Sequence, residues 1–248
     1  MTTIDLNADL GEGVPSDAAM MRYLSSCNIA CGGHAGDEDS MRTTLRAAKQ
    51  AGVCAGAHPS YPDRDGFGRR SLDIGIRELT DSLAEQVRAL ARVASEEGVT
   101  LTHLKPHGAL YNDAAKRAQL AAVLASVAAG DLEGAALVGP PSSELARAAA
   151  EAGIRFVAEG FCDRSYRPDG SLTPRSEQGA VIADQARRAE QALRLAKGLP
   201  MELPGGGTLA LRVQTICLHG DADGALETAR AVRSLLEEEG VEVRAPYG

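Results

Sequence analysis

Tryptophan is absent from this chain and aromatic residues make up only 3% of it, so the interior has to be built from Ala, Leu, Val and Ile. With 248 residues and 44% hydrophobic content there is enough of that material for one large domain, a size that a single α/β barrel commonly reaches. No apolar run approaches the roughly 20 positions of a membrane span. The opening MTTIDLNADL has neither the basic flank nor the apolar stretch of a secretion signal, so a cytoplasmic location is expected. Basic clusters are missing too, and together with a net charge of -8 this argues against nucleic acid or anionic membrane as partners. Cys27, Cys31, Cys54, Cys162 and Cys217 form an odd set without a C-x-x-C pair, the pattern of free thiols in a reducing compartment rather than of a disulfide or zinc framework. Cys31 and Cys217 fall beside polar motifs, yet a small buried hydrophobe is the usual fate of such residues. No G-x-x-x-x-G-K-[ST] phosphate loop is present, and Pro204-Gly205-Gly206-Gly207 reads as a hairpin turn.

What the chain does have is a repeated pattern of short strand, polar strand end and helix. In Ile4–Leu10 the residues Ile4, Leu6, Ala8 and Leu10 share one face and Asp5, Asn7 and Asp9 the other. Asn28-Ile29-Ala30-Cys31-Gly32-Gly33-His34 and Val53-Cys54-Ala55-Gly56-Ala57-His58-Pro59 are small apolar runs that each lead to a histidine. Leu101, His103, Lys105 and His107 share one face of the next strand, where burial of three ionisable groups needs partners. Strands at 135–140, 154–160 and 213–221 follow. Helices are expected at 38–51, capped by Asp37 or Asp39, at 76–97, from Asn112 to Ala129, at 143–151, at 180–197 and through Glu239. Seven strands alternating with helices, with no linker, describe one α/β domain over residues 1–248 with a parallel sheet. Polar residues end the strands throughout the chain, which favours a barrel with one common mouth over an open sheet with a single switch point.

All five histidines, His34, His58, His103, His107 and His219, stand in or just after a strand end, with Asp9, Glu12, Lys105, Glu159, Asp163 and Asp221 at the same end. A lone loop histidine is ordinarily structural; histidines at four different strand ends point to a shared site. Three chemistries suit the set. Histidines with Asp9 can hold a divalent metal that activates water. Histidine and carboxylate can act as acid and base on a carbonyl without metal. Lys105 can be a nucleophile, or in the plainer role can stabilise an oxyanion or a substrate carboxylate. Arg69 and Arg70, with Arg164 and Arg175, suggest an anion site, against the alternative of surface arginines paired with a neighbouring Asp.

The runs DLNADLGE (5–12), NIACGGHAGD (28–37), GAHPSYPDRDGFGRR (56–70), HLKPHGALYN (103–112), CDRSY (162–166) and LHGD (218–221) together resemble the lactam-utilisation family, that of the A component of prokaryotic 5-oxoprolinase. The resemblance implies an incomplete (β/α)7 TIM-like barrel of the glycoside hydrolase and deacetylase type. It also implies ATP-dependent opening of 5-oxo-L-proline to L-glutamate in a complex with subunits B and C. With no phosphate loop in this chain, ATP is expected to bind wholly or partly on those partners; a divalent metal is a further possible cofactor. Asp9, Glu12, His34, His58, Lys105, His107 and His219 are the catalytic candidates. Asn7, Arg69, Arg70, Glu159, Asp163, Arg164, Arg175 and Asp221 are the substrate- and anion-binding candidates. His103, deepest in its strand, is expected to support the others. Gly33 stands where the family commonly has an aromatic and Ser60 where it commonly has Gly, departures expected to loosen packing at the mouth. Two other classes remain open: a stand-alone metal-dependent amidohydrolase or carbohydrate deacetylase, and a non-catalytic scaffold protein.

Overall fold

The period-two pattern of the strands is converted into a ring. The computed structural model describes residues 2–220 and 224–247, so Asp221 lies outside the described residues. In chain order it contains β1 (Thr2–Leu10), α1 (Asp17–Met20), β2 (Ser26–Ala30), α2 (Glu38–Ala51), β3 (Cys54–His58), α3 (Ile76–Glu97), β4 (Leu101–Leu104), α4 (Gly108–Ala114) and α5 (Ala118–Asp131). β5 (Ala136–Gly139), α6 (Glu144–Glu151), β6 (Phe156–Phe161), α7 (Gln185–Lys197), β7 (Met201–Glu202), β8 (Thr208–Leu209), β9 (Thr215–Leu218), α8 (Ala225–Glu238) and β10 (Val241–Val243) follow. β1 to β6 and β9 form a parallel TIM-like barrel of seven strands, closed where Asp5–Ala8 of β1 pair with Thr215–Leu218 of β9. β7 and β8 are the expected hairpin around the triple glycine.

Local signals explain where the helices stop and start. Asp37 and Ser40 form a reciprocal capping box at the head of α2, and Gly52, in the left-handed region at φ 69°, ends it. The single helix expected from Asn112 to Ala129 is instead two. Gly108, at φ 56°, turns the chain directly from the extended His107 into α4, and Arg117 is extended, which interrupts the helical ladder before α5. α7 begins at Gln185 rather than near residue 180 because Asp184 caps it.

The short C-terminal tail has more structure than its sequence suggested. β10 pairs with the start of β1. Beyond it, Tyr247 packs against Ala136, Val138 and Val157 and stacks on His103, ring centroids 4.4 Å apart, closing the base of the barrel.

Ile4, Leu6, Ala8 and Leu10 face outward into the apolar layer under the helices. The inside of the ring is unusual. Branched apolar side chains ordinarily fill such barrels, but here Asp5, Asn7, Ser26, Asn28, His103, Glu159 and Thr215 are buried within it. Burial of that kind is tolerable only when every group finds a partner. Asp5 accepts from the hydroxyls of Ser25, Ser26 and Thr215 at 2.6–2.7 Å. The Asn7 amide donates to Glu159 and Thr215, and that of Asn28 to Asn7 and Asp9. His103 Nε2 lies 2.8 Å from Asn28 Oδ1. Gly56 is required behind it, because a Cβ there would fall 2.3 Å from the His103 ring.

The expected loosening at Gly33 and Ser60 does not occur. A Cβ on Gly33 would lie 2.3 Å from Gln86 Oε1 and 2.4 Å from Ser60 Oγ. The two departures compensate each other: Ser60 and Gln86 occupy the space that a larger residue at 33 would take.

Candidate functional site

The site sits where the strands end, and Lys105 is its floor. Backbone hydrogen bonds Lys105 N–H to Ala57 and His107 N–H to Pro59 carry the extended conformation of β4 past its last ladder residue. His103, Lys105 and His107 therefore keep one phase and climb the inner wall together. The Lys105 ammonium lies 2.9 Å from Glu159, 3.0 Å from Asp9 and 3.1 Å from Cys217 Sγ. Burial by itself would lower its pKa, but the carboxylates of Asp9 and Glu159 outweigh that and hold it well above the ordinary lysine value. Asp9 is likewise held well below the carboxylate range, its burial overcome by His58 and Lys105. These are a fixed cation and a fixed anion.

Above them opens a cavity of about 410 Å³, lined by Asp9, Glu12, His58 and His107 together with the cationic Arg164, Arg175 and Lys116. His58 Nδ1 lies 2.7 Å from the Lys105 carbonyl, and His107 Nε2 lies 3.0 Å from the Phe67 carbonyl. Phe67 has φ 53°, a strained value for an aromatic residue, and Gly68 beside it leaves just enough room for the His107 ring. His34 Nε2 lies 2.9 Å from Glu12 Oε1, and its ring stacks on that of His107 at 3.7 Å. Burial first, then the charge of His58, lowers the pKa of His34 to about 3 and of His107 to about 2, so both rings are neutral at neutral pH. Glu12, His34, His58 and His107 offer donor atoms all within 4.8 Å of one another, a cluster able to hold a metal ion.

The structure brings most of the expected residues to this mouth, but not all. His219 lines the cavity and is oriented by Asp163, whose carboxylate is 2.7 Å from Nδ1. Arg164 lines the cavity while bracing the loop below it, donating to the carbonyls of Ala180 and Thr173. Arg69 and Arg175 are on the rim. Arg70 is not: it pairs with Asp63, the alternative raised for surface arginines. Asn7 and His103 lie below the floor within the polar core. Glu159 grips Lys105 with one oxygen, and burial followed by the Glu159 charge holds the Tyr111 hydroxyl well above the ordinary tyrosine value. Burial pushes the Cys217 thiol well up, which keeps it from being a thiolate nucleophile.

Sequence reasoning passed over Asn28, Tyr111 and Lys116. Asn28 sits in a run that looks like a plain buried strand, and only its pairing opposite Asp9 aims its amide at the site. Tyr111 had one available signal, its place four residues after His107 on a helix that leaves the mouth.

A family model described as the LamB/YcsF family matches residues 4–247. The chain belongs to that family. It is 45% identical over 247 residues to the A component of 5-oxoprolinase from Paracidovorax citrulli (strain AAC00-1), covering 97% of this chain and 98% of that one. The lactam utilization protein from Thermus thermophilus superposes with a TM-score of 0.91 at 40% identity, over 98% and 99% of the two chains. A family 4 carbohydrate esterase from Streptomyces lividans, with a TM-score of 0.50 and 14% identity over 98% of this chain and 91% of that one, shares the barrel alone. For a LamB/YcsF chain the polar barrel interior and histidine-lined mouth are thus set in a fold also used by carbohydrate-active enzymes. Among the described residues no helix is long and apolar enough to cross a membrane.

Proposed function

We propose that this chain is the lactam-binding, ring-opening component of an ATP-dependent 5-oxoprolinase, converting 5-oxo-L-proline to L-glutamate in the cytoplasm together with partners of the B and C type. The observation that carries the reading is Asp9. Its Oδ1 is locked by Lys105 and Asn28, at 3.0 and 2.8 Å, while Oδ2 is left toward the cavity beside His58. A carboxylate held ionised in this way can orient and polarise a water at the cavity floor. The cationic lining residues Arg164, Arg175 and Lys116 suit the substrate carboxylate. Lys105 contributes a fixed positive field beneath the reacting carbonyl, where negative charge develops in the transition state.

A lactam is a stable amide, and transfer of a phosphoryl group from ATP to its oxygen makes the carbon a better electrophile for water. ATP binds wholly or partly on the partner proteins. The test is 5-oxoproline-dependent ATP hydrolysis by the reconstituted complex. Asp9→Asn and His107→Ala are each expected to lower it by at least about 100-fold, the scale of one acid–base group; full activity in both would sink the assignment. The donor cluster of Glu12, His34, His58 and His107 favours a second reading, a stand-alone metal-dependent amidohydrolase. Turnover by the chain alone without ATP decides for that one.

A further inference from the structure

Two imidazoles at the mouth have their proton positions settled by what stands behind them. His58 Nδ1 is 2.7 Å from the carbonyl of Lys105 and His107 Nε2 is 3.0 Å from that of Phe67. A carbonyl oxygen only accepts, so those two nitrogens carry the hydrogens. The other nitrogens, His58 Nε2 and His107 Nδ1, face each other at 3.0 Å, where one proton at most can lie between them. Carboxylates close the same space: Asp9 Oδ2 is 3.3 Å from His58 Nε2, and Glu12 Oε1 is 3.5 Å from His107 Nδ1. The two imidazole nitrogens thus meet with one carboxylate oxygen beside each.

One proton on either ring relieves a single contact. A metal ion relieves all of them, and the spacing suits it. Donors bound 2.0–2.2 Å from a tetrahedral ion stand about 3.3–3.6 Å apart along the six edges; three of them here, His58–His107, His58–Asp9 and His107–Glu12, are 3.0, 3.3 and 3.5 Å. A metal-bound histidine ordinarily gives its far N–H to a carbonyl or carboxylate, which fixes the ring and its tautomer. Both rings do this. The Phe67 carbonyl that serves His107 is held in place by a backbone in the left-handed region.

We infer that His58 Nε2, His107 Nδ1 and the carboxylates of Asp9 and Glu12 form a binding site for one divalent transition-metal ion, with His34 as a positioning residue rather than a ligand. The His34 ring is stacked on His107 with its plane 2° from parallel. Lone pairs of parallel rings leave in parallel, so an ion lying in the plane of one ring is out of the plane of the other. His34 instead donates from Nε2 to Glu12 and aims that carboxylate. Two imidazoles and two carboxylates suit zinc, cobalt, nickel or manganese better than calcium or magnesium, which prefer all-oxygen shells. Charge closes as well: Asp9 and Glu12 balance the ion, while Lys105 is balanced by Glu159. The site rests on these contacts and not on the lactam reading.

The full-length chain, stripped with chelator and dialysed, is titrated with Co²⁺ followed by its visible absorption, and with Zn²⁺ by calorimetry. One ion per chain is expected, with the intense absorption of low-coordinate cobalt. His107→Ala, Asp9→Asn and Glu12→Gln are each expected to weaken binding by at least about 100-fold, and His34→Ala by about 10–100-fold with the cobalt spectrum unchanged in shape. Glu12→Gln, which keeps the size and shape of the side chain, keeps the test valid if another variant fails to fold, and circular dichroism of each variant shows whether it has. Folded wild-type chain that binds neither ion above background overturns the site. Loss of binding in His34→Ala with none in Asp9→Asn overturns the ligand set. Since the readout is metal bound by the chain alone, failure here leaves the lactam reading to its own assay.

Discussion

Lys105→Met is the sharpest probe of the polar core. The side chain is 2% exposed and holds Asp9 at 3.0 Å, Glu159 at 2.9 Å and the Asn7 amide oxygen at 3.3 Å. Methionine fills much of the same volume, so the cavity contribution is small and the loss is electrostatic. It leaves two carboxylates near one another in a buried network with their shared cation gone. Removal of one partner from a buried ion pair costs about 3–5 kcal/mol. For a chain of this length each kcal/mol moves the melting temperature by roughly 2–4 °C, so a fall of about 6–20 °C is expected. Guanidinium unfolding measures the free energy and thermal scanning the shift. The double variant Lys105→Met with Glu159→Gln removes one of the stranded charges and is expected to recover about 1–3 kcal/mol. A loss below about 1 kcal/mol for Lys105→Met, with no recovery in the double variant, would refute the claim that the ammonium holds the interior together.

Other outcomes follow from the same geometry. Tyr247→Ala removes the ring stacked on His103 at the base of the barrel, and an unfolding free energy lower by about 2–3 kcal/mol is expected, toward the low end for a large aromatic because the ring is partly exposed. Gly68→Ala combines a φ of 62° with a Cβ 2.9 Å from His107 Cδ2 and 3.0 Å from His34 Cβ. It should displace both rings, and thus reduce metal affinity and activity by at least about 10-fold at a modest stability cost; unchanged affinity and turnover would show that the loop does not set the rings. Asp5→Asn tests the pH response of the core. Burial raises the Asp5 carboxyl from 3.8 to about 6 despite three hydroxyl donors. The folded state therefore binds that proton more tightly than the unfolded state. Its stabilising contribution is full below pH 3.8 and is lost as pH rises through about 6, an amount of about 3 kcal/mol. The stability difference between variant and wild type should move in favour of the variant by that amount between pH 4 and 7. A difference independent of pH would contradict it.

Much of the architecture is legible in the one-dimensional pattern because it depends on local periodicity. Ile4, Leu6, Ala8 and Leu10 alternate with Asp5, Asn7 and Asp9, and that alone places one set under helices and the other inside. Repetition of polar strand ends from His34 to His219 implied a common mouth, and Asp9, His58, Lys105, His107 and His219 do line one cavity. The head of the helix at Asp37 followed from capping chemistry. The division of the helix after His107 did not, since it turns on one extended residue, Arg117, in an alanine-rich stretch that favours helix throughout.

Partnership is what the linear pattern lacks. Arg69 and Arg70 are adjacent and chemically alike, yet Arg69 reaches the rim and Arg70 is taken by Asp63. His103 and His107 share a strand phase, yet one is sealed between Asn28 and Tyr247 while the other faces the cavity. Tyr247 is distant from everything it touches until β10 aligns with β1. The sequence by itself determined the barrel, the end of it that carries chemistry and the residue types gathered there, because period, capping and strand ends are local properties. Only the tertiary structure decided which lone pairs point at one another and which charges cancel. Those choices depend on inter-strand register and on contacts between residues as far apart as Asn7 and Thr215, and differences of a few tenths of an ångström separate a partner from a neighbour.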